Sequence, residues 1–122
     1  MHIKISTRQS GDVTIVDVEG RIVFGPDNDS LNASVQELTR QSACKVLVNL
    51  TNVTQLDSSG LSTLVRAFIS TQRAGGSFKM LHPGGYVREV LECTQLTNAI
   101  PTFDDEAAAI ASFGSAARSA SR

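Results

Sequence analysis

Two hydroxyls stand beside a carboxylate and before a glycine at Asp57-Ser58-Ser59-Gly60, side chains able to carry or exchange a charged group. After this run, Leu61, Leu64, Val65, Phe68 and Ile69 recur at i, i+3, i+4, i+7 and i+8, which predicts a helix over 58–73 with one apolar stripe. A helix start exposes unpaired N–H groups and a partial positive charge, so a serine there is a place to add and remove a phosphoryl group. Asp57, next to it, would repel that group. The same residues also suit a plainer role. Aspartate and serine are common N-caps, and Asp57 or Ser58 can begin a helix with no further purpose. On a helical wheel Ser59, Thr63, Arg66 and Ser70 stand opposite the apolar stripe, with Ser58 nearer its edge. Exposure alone therefore selects Ser59, and periodicity leaves the choice between the two serines open.

Signals for catalysis are thin. A serine nucleophile needs a base, and the histidines are His2, near the start, and His82, at a strand end. No Gly-x-Ser-x-Gly elbow, P-loop or dinucleotide fingerprint is present. Gly75-Gly76 reads as a helix stop and Gly84-Gly85 as a turn. Asp104, Asp105 and Glu106 read as the solvated start of a helix rather than a metal site. Cys44 and Cys93 have no metal-ligand spacing and read as small core residues. The expectation is a protein that is not an enzyme and carries no cofactor, with a Ser58–His82 pair as the minority alternative.

The elements that must position the turn follow from patterning. Residues 3–7 and 13–18 alternate as strands, joined through turn residues Gln9 to Asp12, and should pair antiparallel, with Gly20 ending the second. Leu31, Val35 and Leu38 predict a helix over 28–41, with Asp27 or Asp29 available as its cap. Residues 45–50 form a nearly continuous apolar run, as in a strand covered on both faces. After the helix over 58–73, Ala74-Gly75-Gly76 stops it, and 78–81 reads as a strand. A short helix bearing Val87, Val90 and Leu91, a brief strand over 100–103 and a helix over 104–113 follow. Strands alternating with helices imply an α/β fold: a mixed, mostly parallel sheet of 4–5 strands with an N-terminal antiparallel hairpin, packed with about four helices. Residues 1–113 are expected to form one domain, and 114–122, rich in Ser and Ala, a frayed tail. In such a sheet, ligands and partners meet the loops that leave the C-terminal strand ends, where Asp57 to Gly60 fall.

The chain of 122 residues is long enough to bury a core without disulfides or metal. A hydrophobic fraction of 41% with 19% charged residues reads as globular, and a formal net charge of -1 gives no footprint for nucleic acid or an anionic membrane. No run approaches a membrane span. The opening Met-His-Ile-Lys-Ile-Ser has no apolar stretch, so a reduced, cytoplasmic protein is expected.

Val48-Asn49-Leu50, Val53, then Leu56-Asp57-Ser58-Ser59-Gly60-Leu61, then Gly75-Gly76-Ser77-Phe78-Lys79-Met80-Leu81 resembles the STAS domain of bacterial anti-sigma factor antagonists, over roughly 3–113. The resemblance implies the STAS-like fold and a protein that binds an anti-sigma factor, usually also a serine kinase, and so frees a sigma factor for transcription. It makes Ser58 the phosphoacceptor, with Asp57, Ser59 and Gly60 beside it in the contact surface. The kinase breaks the complex by phosphorylating Ser58, a serine phosphatase resets it, and ATP belongs to the kinase. The helix from Leu61 onward would form part of the docking face, where Ser62 and Arg66 are further candidate contacts. The chain departs from the family pattern at Gly20-Arg21-Ile22-Val23, where acidic residues are common, and at Ser62, where a second glycine is common. Both departures bear on the choice of partner. STAS domains also serve as adaptors in stress-signalling complexes and as transporter subunits, so a scaffold that is never phosphorylated is the alternative.

Overall fold

The computed structural model describes residues 4–22 and 45–120, together with Ala33 and Glu37. The helix expected over 28–41 thus lies outside the described residues except for Ala33 and Glu37, which are helical and exposed. His2, Val23 and Cys44 also lie outside them.

Two strands open the fold, β1 (Lys4–Ser10) and β2 (Val13–Ile22). They pair antiparallel from Ser10↔Val13 to Lys4↔Glu19 through the two-residue turn Gly11-Asp12. Gly11 has φ +63°, the left-handed first position that a type II′ hairpin asks of glycine. β3 (Lys45–Leu56) then runs parallel to β2, and β4 (Ser77–Leu81) and β5 (Thr102–Phe103) extend the sheet in the order β1-β2-β3-β4-β5. Only the first pair is antiparallel, so the mixed, mostly parallel sheet is the one the patterning predicts.

The ends of two strands differ from the sequence reading. Gly20 does not stop β2, which continues to Ile22, and β3 does not end at Leu50 but runs six residues farther. The pairing shifts register between Asp17↔Asn49 and Glu19↔Asn52, and again between Gly20↔Val53 and Arg21↔Gln55. Each shift places one extra residue in β3. Each extra residue moves the following side chains to the other face, so Leu50, Val53 and Leu56 all point inward although their spacing of three breaks strand alternation. Thr51, Asn52, Thr54 and Gln55 between them are exposed and look like loop in a linear reading.

Helix α1 (Ser58–Arg73) follows β3, α2 (Gly85–Cys93) and the short α3 (Leu96–Ala99) lie between β4 and β5, and α4 (Glu106–Ala120) closes the chain. α1 and α2 share one sheet face, over Val16, Val18, Val46, Val48, Leu50, Phe78 and Met80. That is where right-handed crossovers moving steadily across a sheet put their helices. α4 covers the other face, with Ala109 and Phe113 against Val13, Ile15, Leu47 and Leu81. Its helical backbone extends through residues 114–120. Ile100 is a buried core residue just before β5 rather than part of it. Cys93, expected in the core, is exposed at the last position of α2, because Val87 and Leu91 take the inward face.

The three consecutive acids hold α4 in place. Asp105 Oδ2 accepts from the Ala108 N–H at 2.9 Å as an N-terminal cap, Asp104 pairs with Arg88, and Glu106 pairs with Arg8 at 3.1 Å. Arg8 also grips Asp17, with Nη2 at 3.0 Å from Oδ1, and Asn49 Nδ2 donates to that same oxygen at 2.8 Å. The Arg8 hydrogen bond, then that of Asn49, outweighs burial and holds the Asp17 carboxyl below its usual range. A depressed carboxylate contributes stability that is present above its unfolded value, near pH 4, and lost as pH falls through the lower folded value. Arg8→Met is therefore expected to cost at most about 1 kcal/mol at pH 7, since both groups are solvent-screened, and to flatten the loss of stability below about pH 4. Urea unfolding from pH 2 to 7 checks it; an unchanged acid limb would refute the coupling.

Candidate functional site

α1 begins where β3 ends, and the junction is tied at several points. The Asp57 N–H donates to the Ile22 carbonyl at 3.3 Å, and the Leu61 N–H donates to the Asp57 carbonyl at 2.9 Å. Asp57 has extended backbone, φ -105° and ψ -174°, and its Oδ1 accepts from the Gly60 N–H at 2.9 Å. Asp57 is thus the N-cap of α1, and the plainer role holds for it. Removing that cap by Asp57→Ala is expected to cost about 1 kcal/mol, while Asp57→Asn retains most of it. Equal destabilisation by both, in chemical unfolding, would show that the carboxylate matters for more than capping.

Ser58 is the first helical residue and is exposed; Ser59 is half-buried. The structure therefore reverses the wheel's preference. The reason is the face on which α1 docks. Its buried residues are Gly60, Thr63, Leu64, Ala67 and Thr71, mostly small, with Leu61 and Phe68 of the expected stripe packed half-buried against the same core. Thr63, which the wheel places on the wet side, is 1% exposed, whereas Ile69 is 40% exposed. The threonine hydroxyls are satisfied within the helix, by Ser59 O at 3.1 Å and Ala67 O at 2.8 Å, so their methyl sides are buried without an unpaired polar group. Small residues let the helix lie close on the sheet, and the close approach is tightest at Gly60.

Turning α1 onto its small side brings another row outward. Ser58, Ser62 and Arg66, spaced by four, are all exposed and run along one edge of the helix. Leu61 and Val65 sit half-buried beside them. Together with Thr94 and Leu96, they line an open groove of about 460 Å³ between α1 and the α2–α3 junction. Of the site residues expected from sequence, Ser58, Ser62 and Arg66 thus share one exposed edge, while Asp57 at its head and Ser59 are half-buried and Gly60 is buried.

Tyr86 was missed. It is 59% exposed at the second position of α2 and lines a cleft of about 250 Å³ with Gln55, Leu56 and Asp57. Its signal in the sequence was indirect: Val87 and Leu91 must face inward, which leaves the tyrosine after Gly84-Gly85 to face outward. Beside the cleft, Arg21 Nη1 donates to Gln55 Oε1 at 3.3 Å, so the non-family segment at Arg21 borders this surface. His82 is exposed just past the end of β4, opposite the level of Leu50, whereas Ser58 follows Leu56 well farther along β3. His82 lines neither the groove nor the cleft. Among the described residues no three metal-ligating side chains cluster, and no helix is long and apolar enough to cross a membrane.

Comparison with known proteins agrees on the architecture. No curated protein matches the sequence. Among solved structures, an anti-sigma factor antagonist from Mycobacterium paratuberculosis superposes with a TM-score of 0.79 at 20% identity, covering 91% of this chain and 93% of the other. The phosphorylated form of the Bacillus cell fate determinant SpoIIAA gives a TM-score of 0.67 at 16% identity, with 88% and 96% covered. A sulfate transporter family protein from Wolinella succinogenes gives 0.69 at 14% identity, with 86% and 87% covered. At these identities the likeness is one of fold. The STAS domain family model matches residues 4–109, the whole span from the first strand to the last helix, and this chain belongs to the STAS domain family.

Proposed function

We propose that this STAS domain is an anti-sigma factor antagonist switched off by phosphorylation at Ser58. The observation that carries the proposal is the exposure of Ser58 at the first position of a 16-residue helix whose start is pinned by Asp57. A kinase can reach that hydroxyl, while the half-buried Ser59 offers a poorer target. In the unphosphorylated state the edge formed by Asp57, Ser58, Ser62 and Arg66 docks on an anti-sigma factor with serine kinase activity, in the cytoplasm, and releases the sigma factor to act in transcription. Phosphorylation adds about -1.5 to -2 charges beside Asp57, and a docked partner would have to desolvate that charge. A serine phosphatase restores the docking state. The chain needs no cofactor of its own, since ATP is the kinase's substrate.

Support comes from the fold shared with antagonists, one of them in a phosphorylated form, and from the Asp-Ser-Ser-Gly turn at the head of α1. The test is incubation with the cognate kinase and ATP, followed by mass spectrometry. Phosphate on Ser58, lost in Ser58→Ala, is expected. Phosphate only on another residue would end this reading.

A non-phosphorylated adaptor is the second reading. The fold is shared with a transporter family protein, and Arg21, contacting Gln55 beside the site, stands where the antagonist pattern has an acidic segment. Binding that is indifferent to charge at position 58 would favour it.

A further inference from the structure

The apolar residues of α1 are too many for the job the sheet gives them. The helix is buried through Gly60, Thr63, Leu64, Ala67 and Thr71, which leaves Leu61 and Val65 half-buried and Ile69 exposed at successive fours along its outer flank. Eight residues of helix rise about 12 Å, so this flank is a strip about two turns long. On one side it is bordered by the Ser58–Ser62–Arg66 row, and on the other it meets Leu96 and Thr94 across the groove. Leu61 and Leu96 pack against the core on their inner sides, and Val65 lies half-buried beside them, so their outer sides collect apolar surface in a trough with a polar border, the usual mark of a recognition site.

The charge of the trough identifies its occupant. Arg66 is the only charged residue among the six that line it. Among the described residues Arg66 has no ion-pair partner. The trough is an open groove rather than an enclosed cavity, which suits a helix laid into it better than a small molecule that must be enclosed. We infer that this groove receives an amphipathic helix of the partner protein, two turns of which set apolar side chains on Leu61, Val65 and Leu96 and a carboxylate against Arg66. The inference rests on the proposed antagonist function for the partner's identity, but the groove's preference is a property of this chain alone. Ser58 lies on the same edge, two turns from Arg66, so a phosphoryl group there borders the groove's end and would have to be desolvated when the helix docks.

Selection from a displayed library of random helical 16-residue peptides on the immobilised full chain tests this without knowing the partner. The selected peptides should share apolar residues three or four apart and an Asp or Glu one to two turns away. Titrating one of them should shift the backbone amides of Leu61, Val65, Arg66, Thr94 and Leu96. Arg66→Glu and Val65→Ser should each weaken its binding about tenfold or more, with Lys4→Glu on the far edge strand as an unaffected control and unchanged thermal unfolding as the check on folding. Selected peptides without an acid, shifts centred elsewhere, or no enrichment would overturn the inference. Octanoate shifting the same amides while peptides do not would make the groove a site for small carboxylates and overturn it too. Peptide binding by a chain that takes no phosphate at Ser58 would sink the switch and leave the groove standing, whereas phosphorylation without peptide binding would do the reverse.

Discussion

Ser58→Glu is expected to weaken binding to the anti-sigma factor about a hundredfold, with Ser58→Ala close to the wild-type chain. The two substitutions differ mainly in charge. In the free protein a carboxylate at the first position of α1 meets the positive end of the helix, worth about 0.3–1 kcal/mol in its favour, so the fold should not suffer. The cap offsets part of this gain, because Asp57 already places a carboxylate there, accepting from Gly60. In the complex the balance changes. The new charge sits in a docked surface beside Asp57 and must lose water without gaining a partner, a situation that costs about 2–5 kcal/mol at interfaces. Taking about 2.7 kcal/mol from the lower part of that range gives the hundredfold loss. Calorimetric titration of the anti-sigma factor with the three chains, at one fixed salt concentration, reads it directly. Affinities within about threefold of one another, with equal thermal midpoints, would mean that charge at this position does not govern docking, and the adaptor reading would take over.

The second large effect concerns the fold that presents this serine. Within a helix, glycine is ordinarily worse than alanine by about 1 kcal/mol, so Gly→Ala usually stabilises. At Gly60 the sign should reverse. A Cβ built there would lie 2.1 Å from the Ile22 carbonyl oxygen, 2.7 Å from Leu56 Cδ1 and 2.9 Å from Ile22 Cγ2. The carbonyl is backbone, and it also accepts the Asp57 N–H, so it cannot yield without loosening the junction of β3 and α1. Either α1 lifts from the end of β2 or the hydrogen bond breaks, at a net cost of about 3 kcal/mol. For a domain of this size that is about 10 °C in thermal midpoint. Differential scanning calorimetry of Gly60→Ala should find it. A midpoint equal to or above that of the parent would show that α1 does not rest on Ile22, and with that the placement of Ser58 would fail. Because the clash lies in the first turn, kinase access to Ser58 should change in the same variant even below the melting range.

What could be read directly from the residues was whatever depends on near neighbours along the chain. Gly11 at a tight turn, alternation in β1 and β2, the apolar run that opens β3, and Ala74-Gly75-Gly76 as a stop all act within a few residues. The stop is realised as expected, with Gly75 at φ +82° and the Gly76 N–H donating to Thr71 O at 2.9 Å. From these alone follow the class of fold, the succession of strands and helices along the chain and the position of the Asp-Ser-Ser-Gly turn. On α1 the wheel places Leu64, Leu61 and Phe68 correctly in or against the core but misplaces Thr63 and Ile69, because helical period states that one side is apolar, not the exact angle at which the sheet will meet it. Close packing at Gly60, Thr63, Ala67 and Thr71 outweighed the larger side chains, and that preference exists only once Ile22 and Leu56 stand underneath. β3 was read too short for a similar reason: its two register shifts are a property of pairing with β2, invisible in either strand alone. The exposure of Ser58 over Ser59, the edge shared by Ser62 and Arg66, and the approach of Tyr86 to Asp57 were likewise decided by tertiary contact, because burial is set by the surface that arrives from elsewhere in the chain.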